Sequence, residues 1–248
     1  MVKNFLAIIL FLGLQSFHPS DHTQVDKPLA SAVYAPNVTS ISTSEYGIGL
    51  RKLYDQFPAH SFSWDAFRNA MIGRQILMKH EEIENPDILT IIDFSKPSTE
   101  KRFYVIDVNG GQILFSSLTA HGQNTGENLA NNFSNQPESH QSSLGFFRTA
   151  ETYYGSKGFS LRLDGLEKGI NNNARARAIV IHGAPYVSND FIQAHGRLGR
   201  SYGCPALPTQ LTTPIINKIK GGSILYIYAD NAQYRLQSNL YSEIKQLF

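Results

Sequence analysis

At Ile88 the hydrophobic pattern of this chain changes period, and that change limits the folds open to it. Before Ile88 the apolar residues repeat at helical spacing. Ser42-x-x-Glu45 reads as a capping box opening a helix to about Phe57, with Pro58 as its stop. A second helix is expected over Trp64–His80, where Trp64, Phe67, Met71, Ile76 and Met78 fall roughly on one helical period. From Ile88 onward the pattern is that of short strands. Ile88–Asp93, Arg102–Asp107 and Gln112–Leu118 follow one another, the last two joined by the turn signal Asn109-Gly110-Gly111, and predict an antiparallel meander. Ser160–Leu163, Ala178–His182 and Ser223–Tyr228 supply further strands. The expected class is therefore mainly β (α+β), with short N-terminal helices. Long Gly-, Ser- and Asn-rich connections lie between the strands, above all His121–Ser143, and such loops usually carry function.

The N-terminus has a different character. Lys3 precedes the apolar stretch Phe5–Leu14, and a polar segment follows, in the order of a secretory signal peptide over residues 1–20. An uncleaved N-terminal anchor is the alternative. Residues 21–43, rich in Pro, Ser, Thr and Asn, read as a linker. The remainder divides into a helical segment, 44–82, and a β-rich domain, 83–248. No later stretch is expected to form a stable membrane span, so the expectation is a secreted or periplasmic protein of the cell envelope. A formal charge of +2 with no run of like charges gives no electrostatic footprint for nucleic acid. No feature of the sequence points to an oligomeric state.

The chain has one cysteine, Cys204. In an exported protein it cannot form an internal disulfide, so it is either an inert buried thiol or a reactive one. Taken alone, a single cysteine is more often a small buried apolar residue. Its surroundings, Ser201-Tyr202-Gly203-Cys204-Pro205 after the basic residues Arg197 and Arg200, favour the reactive reading, because nearby positive charge favours the thiolate. The N–H groups of Gly203 and Cys204 can face a developing oxyanion. A thiol nucleophile needs a base, and His182 closes the apolar strand Ile179–Ile181. The Gly183 carbonyl, next in sequence, can accept from one imidazole nitrogen and fix the tautomer. His195 is a rival base. The spacings among His182, His195 and Cys204 match no common zinc pattern, and no metal or other cofactor is expected.

Ile181-His182-Gly183 followed by Ser201-Tyr202-Gly203-Cys204-Pro205 resembles the signature of the L,D-transpeptidase (YkuD-like) catalytic domain, and within it the murein branch with Ser-x-Gly-Cys-Pro. The likeness extends through Tyr104–Asp107, Ala120-His121-Gly122, Ser142–Phe146, Ser160–Leu163 and Gly196–Ser201, and covers roughly residues 65–230. It implies an L,D-transpeptidase β-fold over 83–248, with Cys204 as nucleophile, His182 as base and the Gly183 carbonyl as orienting partner. The substrate it implies is the stem peptide of peptidoglycan, which acylates the cysteine and is passed to an amine of the wall. Two other outcomes remain: an L,D-carboxypeptidase or other murein peptide hydrolase using the same pair, and a wall-binding module without activity. The sequence departs from the family where Tyr202 replaces a His before Gly-Cys, and where Pro205 and Ala206 replace an aliphatic residue and an Arg or Asn. A substitute for that missing Arg is expected in Arg200 or Arg197. Ser201, Tyr202, Arg200, Tyr186 and His121 are the expected substrate-binding residues.

Overall fold

The computed structural model describes residues 43–247. The expected signal peptide, and the linker up to Ser42 with its half of the capping box, lie outside the described residues. Helix α1 spans Thr43–Tyr54 and α2 spans Trp64–His80. The Ser63 hydroxyl caps α2 by accepting from Ala66 N at 3.2 Å. The Ser63 N–H donates to Asp93 Oδ2 at 2.7 Å, which ties the helix start to the end of the first strand. Tyr54, Phe57, Phe62 and Phe67 form an aromatic cluster that reaches Tyr104 in the sheet, with Phe62 and Tyr104 edge-on at 5.2 Å. The helical pair and the sheet thus share one core. No helix among the described residues is long and apolar enough to cross a membrane.

Eight strands form one mixed sheet: β1 (Ile88–Asp93), β2 (Phe103–Asp107), β3 (Gln112–Ser117), β4 (Gly145–Gly155), β5 (Gly158–Gly165), β6 (Val180–Gly183), β7 (Ala206–Leu207) and β8 (Ile224–Tyr228). Their spatial order is β3-β2-β1-β8-β4-β5-β6-β7. The expected antiparallel meander is β1–β2–β3. The last strand, β8, enters the middle of the sheet, parallel to β1 and antiparallel to β4. Buried on both sides, it reads Ile-Leu-Tyr-Ile-Tyr without alternation, as a central strand should. The class is mainly β (α+β), as the strand periods predict.

Four helices follow the N-terminal pair: α3 (Asn189–His195), α4 (Thr209–Ile219), α5 (Ala232–Gln237) and α6 (Asn239–Gln246). The core-facing side chains of α4, Ile215, Ile216 and Ile219, are buried. Glu167, in the turn after β5, locks the C-terminal pair to the sheet. Its Oε1 accepts from Phe146 N at 2.8 Å and from the Tyr234 hydroxyl at 3.1 Å, and its Oε2 accepts from the Ser238 hydroxyl. Asn171 closes the same turn, accepting from Glu167 N and donating to the carbonyls of Leu144 and Phe146. Burial pushes the Glu167 carboxyl above its ordinary range, and the three donors only partly offset this.

Candidate active site

The parallel pairing of β6 with β7 sets His182 opposite Ala206 and Gly183 opposite Leu207. Two residues back along both strands, Cys204 comes level with Val180, whose N–H lies 3.4 Å from the Cys204 sulfur. The sulfur also lies 3.7 Å from the Ala178 carbonyl, within range of a weak S–H bond. The strand that carries His182, with the turn just before it, thus supplies the groups that hold the thiol.

His182 is buried, and its Nδ1 lies 3.0 Å from the Gly183 carbonyl. A carbonyl only accepts, so Nδ1 carries the proton and Nε2 is left with a free lone pair. Burial, and to a lesser extent the charge of Lys157, lower the His182 pKa, while the Gly183 bond works the other way. Burial raises the Cys204 thiol above its usual range, against the Val180 N–H, Arg177 and Lys157. Both shifts favour a resting pair of neutral thiol and neutral imidazole rather than a standing thiolate–imidazolium pair. Alkylation of Cys204 by iodoacetamide is accordingly expected to keep accelerating with pH beyond the range of an ordinary cysteine. A rate that levels off below neutral pH would show a standing thiolate instead.

The loop bearing Cys204 is pinned on both sides of Gly203. The Ser201 hydroxyl donates to Cys204 O at 2.7 Å and accepts from Gly203 N at 3.1 Å. The Ser142 hydroxyl donates to Gly203 O at 3.0 Å and accepts from Gly122 N at 3.1 Å. The Gly203 N–H, expected as an oxyanion donor, is therefore already taken; the N–H groups of Cys204 and Tyr202 have no acceptor among the described residues. Gly203 adopts φ 117°, and a Cβ there would lie 2.7 Å from the Gln141 carbonyl.

The other expected residues fall into two groups. Tyr186 is half-buried near Cys204; burial first, and the nearby thiol second, push its hydroxyl up to about 12. Tyr202 is exposed and stacks on His140 at 4.3 Å. Arg200 and Arg197 both pair with Glu127, at 2.6 and 2.7 Å, and Arg200 also donates to the Gln123 and Gly126 carbonyls. A guanidinium that the sequence does not single out, that of Arg177, comes up beside the residue before Cys204: its Nη2 lies 3.4 Å from where a Cβ on Gly203 would stand. His121 is buried, not part of an open cleft. Its Nδ1 accepts from Arg102 at 2.9 Å and its Nε2 donates to the Gly126 carbonyl at 3.1 Å, and burial first, then the Arg102 charge, bring it down to about 4. Its chain segment braces the site, since Ser201 N donates to His121 O at 2.9 Å. His195 is exposed on α3, stacked on Phe191 with its Nδ1 3.0 Å from the Phe191 carbonyl. No group of three or more metal-ligating side chains is gathered among the described residues.

A family model described as L,D-transpeptidase catalytic domain matches residues 58–228. No curated protein matches the chain. Among solved structures the chain is similar to L,D-transpeptidase 3 from Mycobacterium tuberculosis in complex with a faropenem-derived adduct, at 13% identity and TM-score 0.37, over 58% of this chain and 60% of that one. It is also similar to an L,D-transpeptidase from Mycobacterium smegmatis, at 13% identity and TM-score 0.35, over 58% and 59%. A third is the helical cell shape determining protein from Campylobacter jejuni, at 14% identity and TM-score 0.37, over 73% and 61%. The match spans about three fifths of the length of each of these proteins.

Proposed function

This chain belongs to the L,D-transpeptidase catalytic-domain family, and on that premise we propose that it is a cysteine-dependent peptidoglycan L,D-transpeptidase with Cys204 as nucleophile and His182 as base. The observation that carries the assignment is a tautomer-fixed His182 on the strand whose Val180 N–H lies 3.4 Å from the sulfur of the chain's one cysteine. His182 Nε2 takes the thiol proton as the sulfur attacks the carbonyl carbon of the donor stem peptide. A C–S bond forms, and the carbonyl oxygen becomes an oxyanion that the unpaired Cys204 N–H, with that of Tyr202, is free to stabilise. The C–N bond then breaks, and the leaving amine takes the proton from His182. In the second half an acceptor amine attacks the thioester and gives its proton to His182, which returns it to the departing sulfur. Water in place of the amine gives a carboxypeptidase.

In this reading residues 83–248 form the catalytic unit, the 44–82 helices support it, and the N-terminal residues direct the protein to the cell envelope. Tyr186 lines the approach to the thiol, and the exposed ring of Tyr202 meets the substrate at the rim. Incubation with a tetrapeptide-stem muropeptide is expected to give a mass adduct on Cys204 and crosslinked dimers. An adduct followed by tripeptide alone would assign hydrolysis. Neither adduct nor product from any stem peptide would remove the assignment.

A further inference from the structure

Arg177 is a half-buried guanidinium with no carboxylate. Among the described residues no acid lies within ion-pair distance of it, whereas its near neighbour Arg175 is shared between Glu151 and Asp164 on the surface. Arg177 spends its donors on neutral acceptors. Nη1 donates to the Ser134 carbonyl and the Ser143 hydroxyl, both at 2.7 Å, and Nη2 to the Gln141 carbonyl at 2.6 Å and the Ser139 hydroxyl at 3.1 Å. These bonds fix where the charge sits. Nη2 lies 3.4 Å from the point a Cβ on Gly203 would occupy, directly beside the residue preceding Cys204. Even half-buried, a guanidinium without an anion carries a desolvation cost, and unpaired charge of this kind is a mark of functional sites.

The backbone after Arg177 is bent to the same end. Ala178 has φ 53°, a left-handed conformation that a residue with a Cβ seldom adopts. It turns the chain so that the Ala178 carbonyl and the Val180 N–H both face the sulfur.

We propose that Arg177 is the built-in counter-ion of the Cys204 thiolate, a positioning and electrostatic residue. The inference rests on Cys204 being the nucleophile. It explains how a thiol with no standing negative charge is ionised at the moment His182 removes its proton, because the positive charge is already in place. The other charged or titratable groups that act on the sulfur are few. Lys157, exposed on the β4–β5 turn, adds a weaker positive charge; Tyr186 faces it as a neutral phenol; His182 is the base.

The test is the pH profile of iodoacetamide alkylation at Cys204, read by mass spectrometry on the folded protein without any muropeptide. Arg177→Gln is expected to move the profile to higher pH and to slow alkylation at neutral pH roughly tenfold or more, the size expected on losing one close opposite charge. Arg177→Lys, which keeps the charge and loses the fork of hydrogen bonds, is expected to restore most of the rate. An unchanged profile in Arg177→Gln would overturn the proposal. So would equal slowing in both variants, which would assign Arg177 to holding the 134–143 loop alone. If the glutamine variant does not fold, the lysine variant decides: a near wild-type profile supports the counter-ion, and a tenfold loss overturns it. Because alkylation needs no donor peptide, its result is separate from any failure to find transpeptidation.

Discussion

Replacing Cys204 by alanine is expected to abolish turnover of a tetrapeptide-stem muropeptide, a loss of roughly a thousandfold or more, while leaving the fold intact. The two halves of this expectation have different physical sources. Chemically, Cys204 is the sole thiol of the chain, so no second nucleophile can take over the acyl group. Structurally, its sulfur contributes one weak contact to Val180 N and another to Ala178 O, whose loss costs about 1 kcal/mol at a half-buried site. The serines that shape the loop act on the backbone of residues 203 and 204 and remain in place. The measurements are crosslinked product and mass adduct on one side and thermal unfolding on the other. Turnover retained in Cys204→Ala would end the proposed mechanism, and a collapsed fold would show that the cysteine is chiefly structural.

The largest effect on stability is expected at Glu167. In Glu167→Ala three buried donors, Phe146 N–H and the Tyr234 and Ser238 hydroxyls, lose their acceptor at once. With each orphaned group costing about 1–3 kcal/mol, the total is about 3 kcal/mol at the least, or a fall of roughly 6–12 °C or more in melting temperature. Glu167 also imposes a pH dependence whose sign follows from its environment. Burial raises its pKa in the folded state, so the folded protein favours the neutral acid. The group's contribution is complete below the unfolded carboxyl pKa and is lost as pH rises through the folded value. Surface carboxylates such as Glu127 and Glu151, which arginines hold below their usual range, contribute with the opposite sign. The useful measurement is therefore the difference in stability between wild type and Glu167→Gln across pH 4–8. It is expected to swing in favour of the glutamine variant as pH rises; parallel curves would show that Glu167 does not titrate in this range.

Periodicity made some of this structure legible and not the rest. The boundaries of α2 and β1 agree with the apolar pattern because each element buries a regular face against one core. β4 escaped, since its pairing with β5 shifts register between Thr149 and Thr152 and its far end projects exposed residues, which erases alternation. α4 escaped because it carries Pro214 and three threonines, residues that weaken any helix propensity. At the candidate site, Cys204, His182 and Gly183 stand out in sequence by residue type and order, and the β6–β7 register brings their segments side by side. Arg177 does not stand out. It alternates with Arg175 in Ala174-Arg175-Ala176-Arg177, and only the turn at Ala178 decides which of the two faces solvent and which comes up beside Gly203. Arg200 shows the converse: it is close to Cys204 in sequence, but its ion pair is with Glu127, far along the chain, a partner that no local pattern reveals.

The insertion of β8 between β1 and β4 governs how the molecule comes into being. Leu89 pairs with Ile224, so the centre of the sheet closes only when the two ends of the fold meet. Contacts of such long sequence separation make for slow, all-or-none folding. A nascent chain ending shortly after Cys204 would hold His182, Gly183 and the thiol, yet would leave β1 and β4 each with a bare edge. Such intermediates are prone to stick to one another through those edges. A chain truncated before β8 is therefore expected to yield aggregate rather than a folded domain.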